Sequence, residues 1–100
     1  MAKVLVVEDD ADLSARILDF LGKEGHVAEH INNGAEASER LRFYEYDLIL
    51  LDWQLPGATG IDICKAYRAN GGNKPILMMT GMDTSANKIT GLDTGADDYV

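Results

Sequence analysis

The sequence predicts an α/β protein with a doubly wound, five-stranded parallel sheet and helices on both faces. Apolar runs of about four residues occur in three places, at 4–7, 48–51 and 76–79. Runs of this length indicate strands that are buried on both faces. The segments between the runs carry apolar residues at helical spacing and are long enough for strand-to-strand crossovers. A chain of 100 residues predicts one domain, 1–100, with one core.

The first half of the chain predicts two strands and two helices. The first strand covers 3–7, and the following helix ends near Gly22 or Gly25. Its apolar positions at helical spacing are Leu13, Ile17, Leu18, Phe20 and Leu21. A weaker second strand covers 27–31 and is followed by an Asn-Asn-Gly turn. The second helix, 35–45, presents on one face Ala37, Leu41 and Tyr44.

The second half predicts three strands and two helices. The third strand, 47–51, leads into a loop containing Pro56 and Gly57. The third helix, 60–69, presents inward Ile61, Cys64 and Tyr67. After a Gly-Gly-Asn break come a fourth strand at 75–79, a helix of low intrinsic propensity at 85–95, and the start of a fifth strand at 97–100.

Composition restricts the class of protein. The net charge is −8, from 9 basic and 17 acidic residues, and such a surface repels phosphate backbones, so we expect no direct nucleic-acid binding. No apolar stretch reaches the length of a membrane span, and the N-terminus has no signal-peptide pattern, so we expect a cytoplasmic location without membrane association. The single cysteine, Cys64, excludes an internal disulfide and a cysteine-based metal site.

Polar groups follow each of the three apolar runs. Glu8, Asp9 and Asp10 follow the first, Asp52 follows the second, and Thr80 follows the third. Because ligands of parallel sheets bind beyond the carboxyl ends of the strands, these groups are expected to meet in one crevice. Carboxylates held close together suit Mg²⁺, which prefers oxygen ligands. A competing interpretation is that Asp9 or Asp10 only caps the following helix.

Asp52 and Thr80 each allow two interpretations. Asp52 could be a turn residue that accepts hydrogen bonds from backbone amides, or a nucleophile that accepts a phosphoryl group as an acyl phosphate. Thr80 could be a simple strand-end residue, or could donate its hydroxyl to a phosphoryl oxygen. A P-loop enzyme is excluded because only acids follow the first strand. A dehalogenase-type phosphatase would need an aspartate where the chain has Gln54.

The chain resembles the receiver domain of two-component response regulators. The resemblance covers the whole sequence and rests on three stretches: Val4-Leu5-Val6-Val7-Glu8-Asp9-Asp10, Tyr46-Asp47-Leu48-Ile49-Leu50-Leu51-Asp52-Trp53-Gln54-Leu55-Pro56-Gly57 and Gly95-Ala96-Asp97-Asp98-Tyr99-Val100. It implies a flavodoxin-like sheet of order 2-1-3-4-5, the order the family is known for. It also implies that Asp52 is the phosphoacceptor.

The resemblance assigns roles to other residues as well. Glu8 and Asp9 would hold Mg²⁺ together with Asp52 and the backbone carbonyl of Gln54. Thr80 would be the switch hydroxyl and Tyr99 the switch aromatic. The implied activity is acceptance of a phosphoryl group, with no enzymatic turnover beyond the domain's own phosphoryl transfer and dephosphorylation. The implied partners are a sensor histidine kinase or phosphotransfer protein and an output domain.

The resemblance also exposes differences from the family. The sequence stops before the lysine and the last helix that receivers carry after a Tyr-Val of this kind. Without that helix, one face of the sheet would be uncovered, which predicts self-association. The missing lysine favours the alternative function, a receiver-like interaction module that works without phosphorylation, whereas the acidic residues Glu8, Asp9 and Asp52 argue against it.

Overall fold

A computed structural model describes residues 1–52, 55–79 and 98–99. The chain alternates strands and helices throughout this part. The strands are β1 (Lys3–Val7), β2 (Val27–Ile31), β3 (Leu48–Asp52), β4 (Ile76–Met79) and β5 (Asp98–Tyr99). The helices are α1 (Ala11–Lys23), α2 (Gly34–Phe43) and α3 (Gly60–Ala69). None of these three helices is both long and apolar enough to cross a bilayer.

The five strands form one parallel sheet in the order β2-β1-β3-β4-β5. In register, Val7 of β1 lies beside Leu51 of β3, and Asp52 lies beside Met79 of β4. The change of direction in strand order occurs at β1 and β3, where α/β sheets of this kind form their ligand crevice. The predicted fold class and strand order are therefore confirmed.

The central strands are buried on both faces, as their continuous apolar runs predict. One face packs with α2 and α3 around a core that includes Leu5, Ile49, Ile63 and Met78. The other face packs with α1 around Val4, Val6 and Leu50. On this second side, Leu77 and Met79 of β4 are only partly buried, together with Leu48 of β3.

Most predicted elements match the structure to within two residues. The prediction for α2 was wrong at its end, because the helix stops at Phe43 and Tyr44 adopts extended backbone as its C-cap. Tyr44 is therefore 57% exposed, although it was expected on the buried face. Phe20 of α1, expected at an apolar position, is 62% exposed. The fourth predicted helix, 85–95, lies outside the described residues.

Candidate functional site

The sheet register brings Glu8 and Asp52 together. Val7 and Leu51 are paired on neighbouring parallel strands, so the next residue of each chain segment, Glu8 and Asp52, emerges at the same edge of the sheet. Asp9 follows in the short connection to α1. One carboxylate oxygen from each of Glu8, Asp9 and Asp52 lies within 4.8 Å of the other two.

The three carboxylates differ in exposure. Glu8 is 4% exposed, Asp52 is partly buried and Asp9 is exposed. The site therefore has a protected side and an open side, which allows a soluble ion or phosphate group to reach it. All three donors are carboxylate oxygens, and a cluster of this chemistry matches the preference of Mg²⁺.

The protonation of Glu8 reflects this crowding. The pKa of Glu8 is raised from 4.5 to about 7, mainly by burial and in addition by the negative charges of Asp52 and Asp9. A hydrogen bond from the protonated Glu8 to Asp52 acts in the same direction, while the backbone N–H of Asp10, which donates to Glu8 Oε1 at 3.0 Å, opposes it. A proton on Glu8, or a cation between the carboxylates, would relieve the repulsion between Glu8 and Asp52.

Asp10 has a different structural role from the two acidic residues before it, Glu8 and Asp9. Its side chain accepts hydrogen bonds from the backbone N–H groups of Asp12 at 3.0 Å and Leu13 at 3.1 Å, so it is the N-cap of α1. The capping interpretation thus accounts for Asp10. Glu8 and Asp9 are left for the cluster around Asp52.

The segment that follows Asp52 is held against α2 and β3 by close backbone contacts. The N–H of Gly34, the first residue of α2, donates to the carbonyl of Pro56 at 2.7 Å. A Cβ on Gly34 would meet the backbone of Ala58, and a Cβ on Gly60 would overlap the carbonyl of Asp52. These glycines let the loop approach closely, which positions the start of α3 beside the site.

The resemblance also assigns roles to Gln54, Thr80 and Tyr99, and the structure does not test these roles. Gln54 and Thr80 lie outside the described residues. Met79, the residue before Thr80, is paired with Asp52. Tyr99 belongs to β5, where its backbone pairs with Met78. The roles of these three side chains stay predictions.

His30 is a residue near the site that the sequence did not reveal. Its ring Nε2 lies 2.8 Å from the backbone carbonyl oxygen of Glu8. The register of β2 against β1 creates this contact, since His30 pairs with Val6 two residues before Glu8. No local pattern around His30 indicates it.

A surface cavity of about 520 Å³ lies elsewhere, between the C-terminal ends of α2 and α3. Residues that line it include Phe43, Tyr44, Asn70 and Lys74. None of the three clustered carboxylates contributes to it. The candidate site is therefore an open acidic crevice at the strand ends.

Comparison with known proteins agrees with the fold. The family model described as "Response regulator receiver domain" matches residues 4–100. Response regulator RppA of Synechocystis is 38% identical over 100 residues, an alignment that covers 98% of this chain and 43% of RppA. This chain spans less than half the length of the curated relatives it matches.

Among solved structures, receiver domains superpose closely on this chain. The receiver domain of Francisella response regulator 1452 superposes with a TM-score of 0.95 at 33% identity, covering 100% of this chain and 83% of that one. The receiver domain of sensor histidine kinase PA1611 from Pseudomonas aeruginosa, solved with a magnesium ion in its active-site cleft, gives 0.89 at 28% identity, covering 99% and 83%.

The chain belongs to the response regulator receiver domain family, which serves in two-component phosphorelay signal transduction. Proteins of this family are phosphoacceptors.

Proposed function

We propose that this receiver domain, residues 1–100, accepts a phosphoryl group on the carboxylate of Asp52 from a phosphohistidine of a sensor histidine kinase or phosphotransfer protein. The observation that carries the proposal is the position of Asp52, at the carboxyl end of β3 with its carboxylate within 4.8 Å of those of Glu8 and Asp9. This is where a doubly wound sheet binds its ligands. The domain would act as a switch and not as an enzyme that turns over an external substrate.

The donor set supports Mg²⁺ as the cofactor. Glu8, Asp9 and Asp52 supply hard oxygen ligands, and a bound cation would offset the negative charges of Asp52 and Asp9 that add to the effect of burial on the pKa of Glu8. The backbone carbonyl of Gln54 would be a further ligand. When bound, Mg²⁺ would neutralise the phosphoryl oxygens and the carboxylates around them.

The chemistry of the protein itself centres on Asp52. An oxygen of its ionised carboxylate forms a bond to phosphorus while the bond from phosphorus to the histidine nitrogen of the donor breaks. The electron pair of that bond leaves with the imidazole, which takes up a proton. Burial of Glu8 on the inner side of the cluster leaves the open side, near Asp9, for the incoming phosphoryl group.

The output of the switch would depend on Thr80 and Tyr99. Thr80 would donate its hydroxyl to a phosphoryl oxygen, and Tyr99 would change its packing in response. Such a change is a population shift that contacts made only by the phosphoryl group can drive. A partner protein or an output domain would read the new arrangement.

Intact-mass spectrometry tests the proposal. We expect the chain, incubated with a small acyl-phosphate donor and Mg²⁺, to gain the mass of one phosphoryl group. Asp52→Asn should gain none, because an amide is not a nucleophile of this kind. Asp19→Asn is the matched control, since the exposed carboxylate of Asp19 pairs with Lys23 on the surface of α1, and it should be labelled like the parent.

Two results would contradict the proposal. Labelling of Asp52→Asn at the parent's level would place the phosphoryl group on another residue. No adduct on a parent chain that circular dichroism shows to be folded would favour the alternative, an interaction module that works without phosphorylation.

A further inference from the structure

His30 lies on β2, the edge strand of the sheet, and reaches across to β1. Its Nε2 lies 2.8 Å from the carbonyl oxygen of Glu8. A carbonyl oxygen can only accept, so the ring must donate through Nε2–H. The contact therefore requires that Nε2 carries a proton.

This hydrogen bond replaces one that the strand ladder no longer provides. The backbone N–H of Glu8 donates to the carbonyl of Ile31 at 3.1 Å, which is the last step of the β1–β2 ladder. A continued parallel ladder would bring the N–H of Asn33 to the carbonyl of Glu8, but β2 ends at Ile31, and no such backbone bond forms among the described residues. His30 supplies a donor for the carbonyl of Glu8 at the point where β2 ends.

The peptide group that His30 contacts joins Glu8 to Asp9. Both carboxylates of the acidic pair are thus attached to a peptide held on one side by β2. Glu8 is held at three points: its N–H by Ile31, its carbonyl by His30 and its side-chain oxygen by the N–H of Asp10. Because Asp9 is exposed, the direction of its carboxylate depends more on its backbone than on the packing of neighbouring side chains.

We propose that His30 is a positioning residue for the metal-binding pair, orienting the Glu8–Asp9 peptide so that both carboxylates face Asp52. This inference rests on the proposed function, because it assigns the acidic pair to Mg²⁺. Groups that orient metal ligands from outside the coordination shell affect affinity by about 10-fold or more when removed.

The experiment is a titration of the chain with Mg²⁺ alone, followed by the backbone amide shifts of residues 8–10 and 52. His30→Ala should weaken the apparent affinity about 10-fold. His30→Gln should restore most of it, because a glutamine amide can donate from a similar distance.

The chain provides a matched control in its other histidine. His26 also bonds to the backbone, with Nδ1 accepting from the N–H of Ala2 at 3.0 Å, but at the opposite end of β2. His26→Ala should therefore reduce the free energy of unfolding by an amount similar to His30→Ala while leaving the Mg²⁺ affinity at the parent's value. A purely structural role for His30 would make the two variants alike in both measurements.

The outcomes separate this inference from the proposed function. Saturable Mg²⁺ binding that is equal in parent and His30→Ala overturns the role of His30 alone. No saturable response in the parent overturns the metal site and the inference with it. If His30→Ala does not fold, the nitrogen shifts of the His30 ring in the parent at alkaline pH provide the test, since a ring protonated only at Nδ1 would contradict the proposal.

Discussion

At the scale of single residues, three consecutive acids have three different environments. Asp10 accepts two backbone hydrogen bonds and caps α1, Asp9 is exposed, and Glu8 is buried with a raised pKa. The difference follows from where the strand ends. Glu8 directly follows the end of β1 and clusters with Asp52, while Asp10 caps the helix that follows.

The raised pKa of Glu8 predicts how stability depends on pH. Between 4.5 and about 7, the folded chain without divalent cations binds more protons than the unfolded chain. The contribution of Glu8 to the free energy of unfolding should therefore be fully present below a pH of about 4.5 and should be lost as the pH rises through this window. Glu8→Gln removes the titrating group and should be more stable than the parent above pH 7, by on the order of 2 kcal/mol.

Urea unfolding at about pH 5 and about pH 8 measures this difference. Glu39→Gln, which changes an exposed glutamate of α2, is the control and should keep the pH dependence of the parent. Added Mg²⁺ should stabilise the parent at the higher pH more than it stabilises Glu8→Gln. An equal pH dependence in Glu8→Gln and the parent would show that Glu8 does not titrate in this range.

At the scale of secondary-structure elements, the start of α2 supports the loop that leads from β3 to α3. Gly34 donates its N–H to Pro56, and the backbone of Ala58 lies where a side chain of Gly34 would be. Residues 53 and 54 separate the described part of this loop from Asp52. We therefore expect a displacement of the loop to affect the position of Asp52 at the end of β3.

Gly34→Ala tests this support. The added Cβ would lie 2.9 Å from the nitrogen of Ala58 and closer still to its carbonyl oxygen, so the loop must shift. We expect a loss of about 1–3 kcal/mol in the free energy of unfolding and slower phosphorylation of Asp52. Gly22→Ala is the control, because nothing lies within 4 Å of the added atom, and it should stabilise α1 by about 0.5–1 kcal/mol. Equal effects of the two substitutions in urea unfolding would rule out the contact with Ala58.

At the scale of the whole molecule, the parts that sequence predicts well are those that depend on local pattern. The apolar runs located β1, β3 and β4, and therefore also the strand-end acids. Contacts that depend on register between distant segments could not be read in this way. The bond from His30 to Glu8 is one example.

Another example is Tyr46, which is 3% exposed beneath the Lys3 ammonium and whose burial raises its pKa to about 12. Tyr44 has the same side chain only two residues earlier and is exposed. The end of α2 at Phe43 separates the two, whereas periodicity alone predicts a helix that continues to 45.

Self-association remains a prediction at this scale, and the structure suggests where to test it. On the α1 side of the sheet, Phe20 is 62% exposed, and Leu77 and Met79 are only partly buried. If copies associate through this side, Phe20→Ser should lower the mass measured by light scattering at high concentration. Phe43→Ser removes an equally apolar ring that is 70% exposed at the end of α2, and it should not. A monomeric mass for the parent at all concentrations would refute self-association.

The contact between Gly34 and Pro56 also bears on the chemical lifetime of the molecule. An asparagine followed by glycine is prone to deamidation, because the unhindered glycine nitrogen attacks the asparagine side chain. In this fold the N–H of Gly34 is engaged by Pro56, and the side-chain oxygen of Asn33 accepts from Glu36 as the cap of α2. The contact that supports the loop after β3 should therefore slow deamidation at Asn33-Gly34, one of the two Asn-Gly pairs in the sequence, and molecules in which this contact opens should deamidate there first.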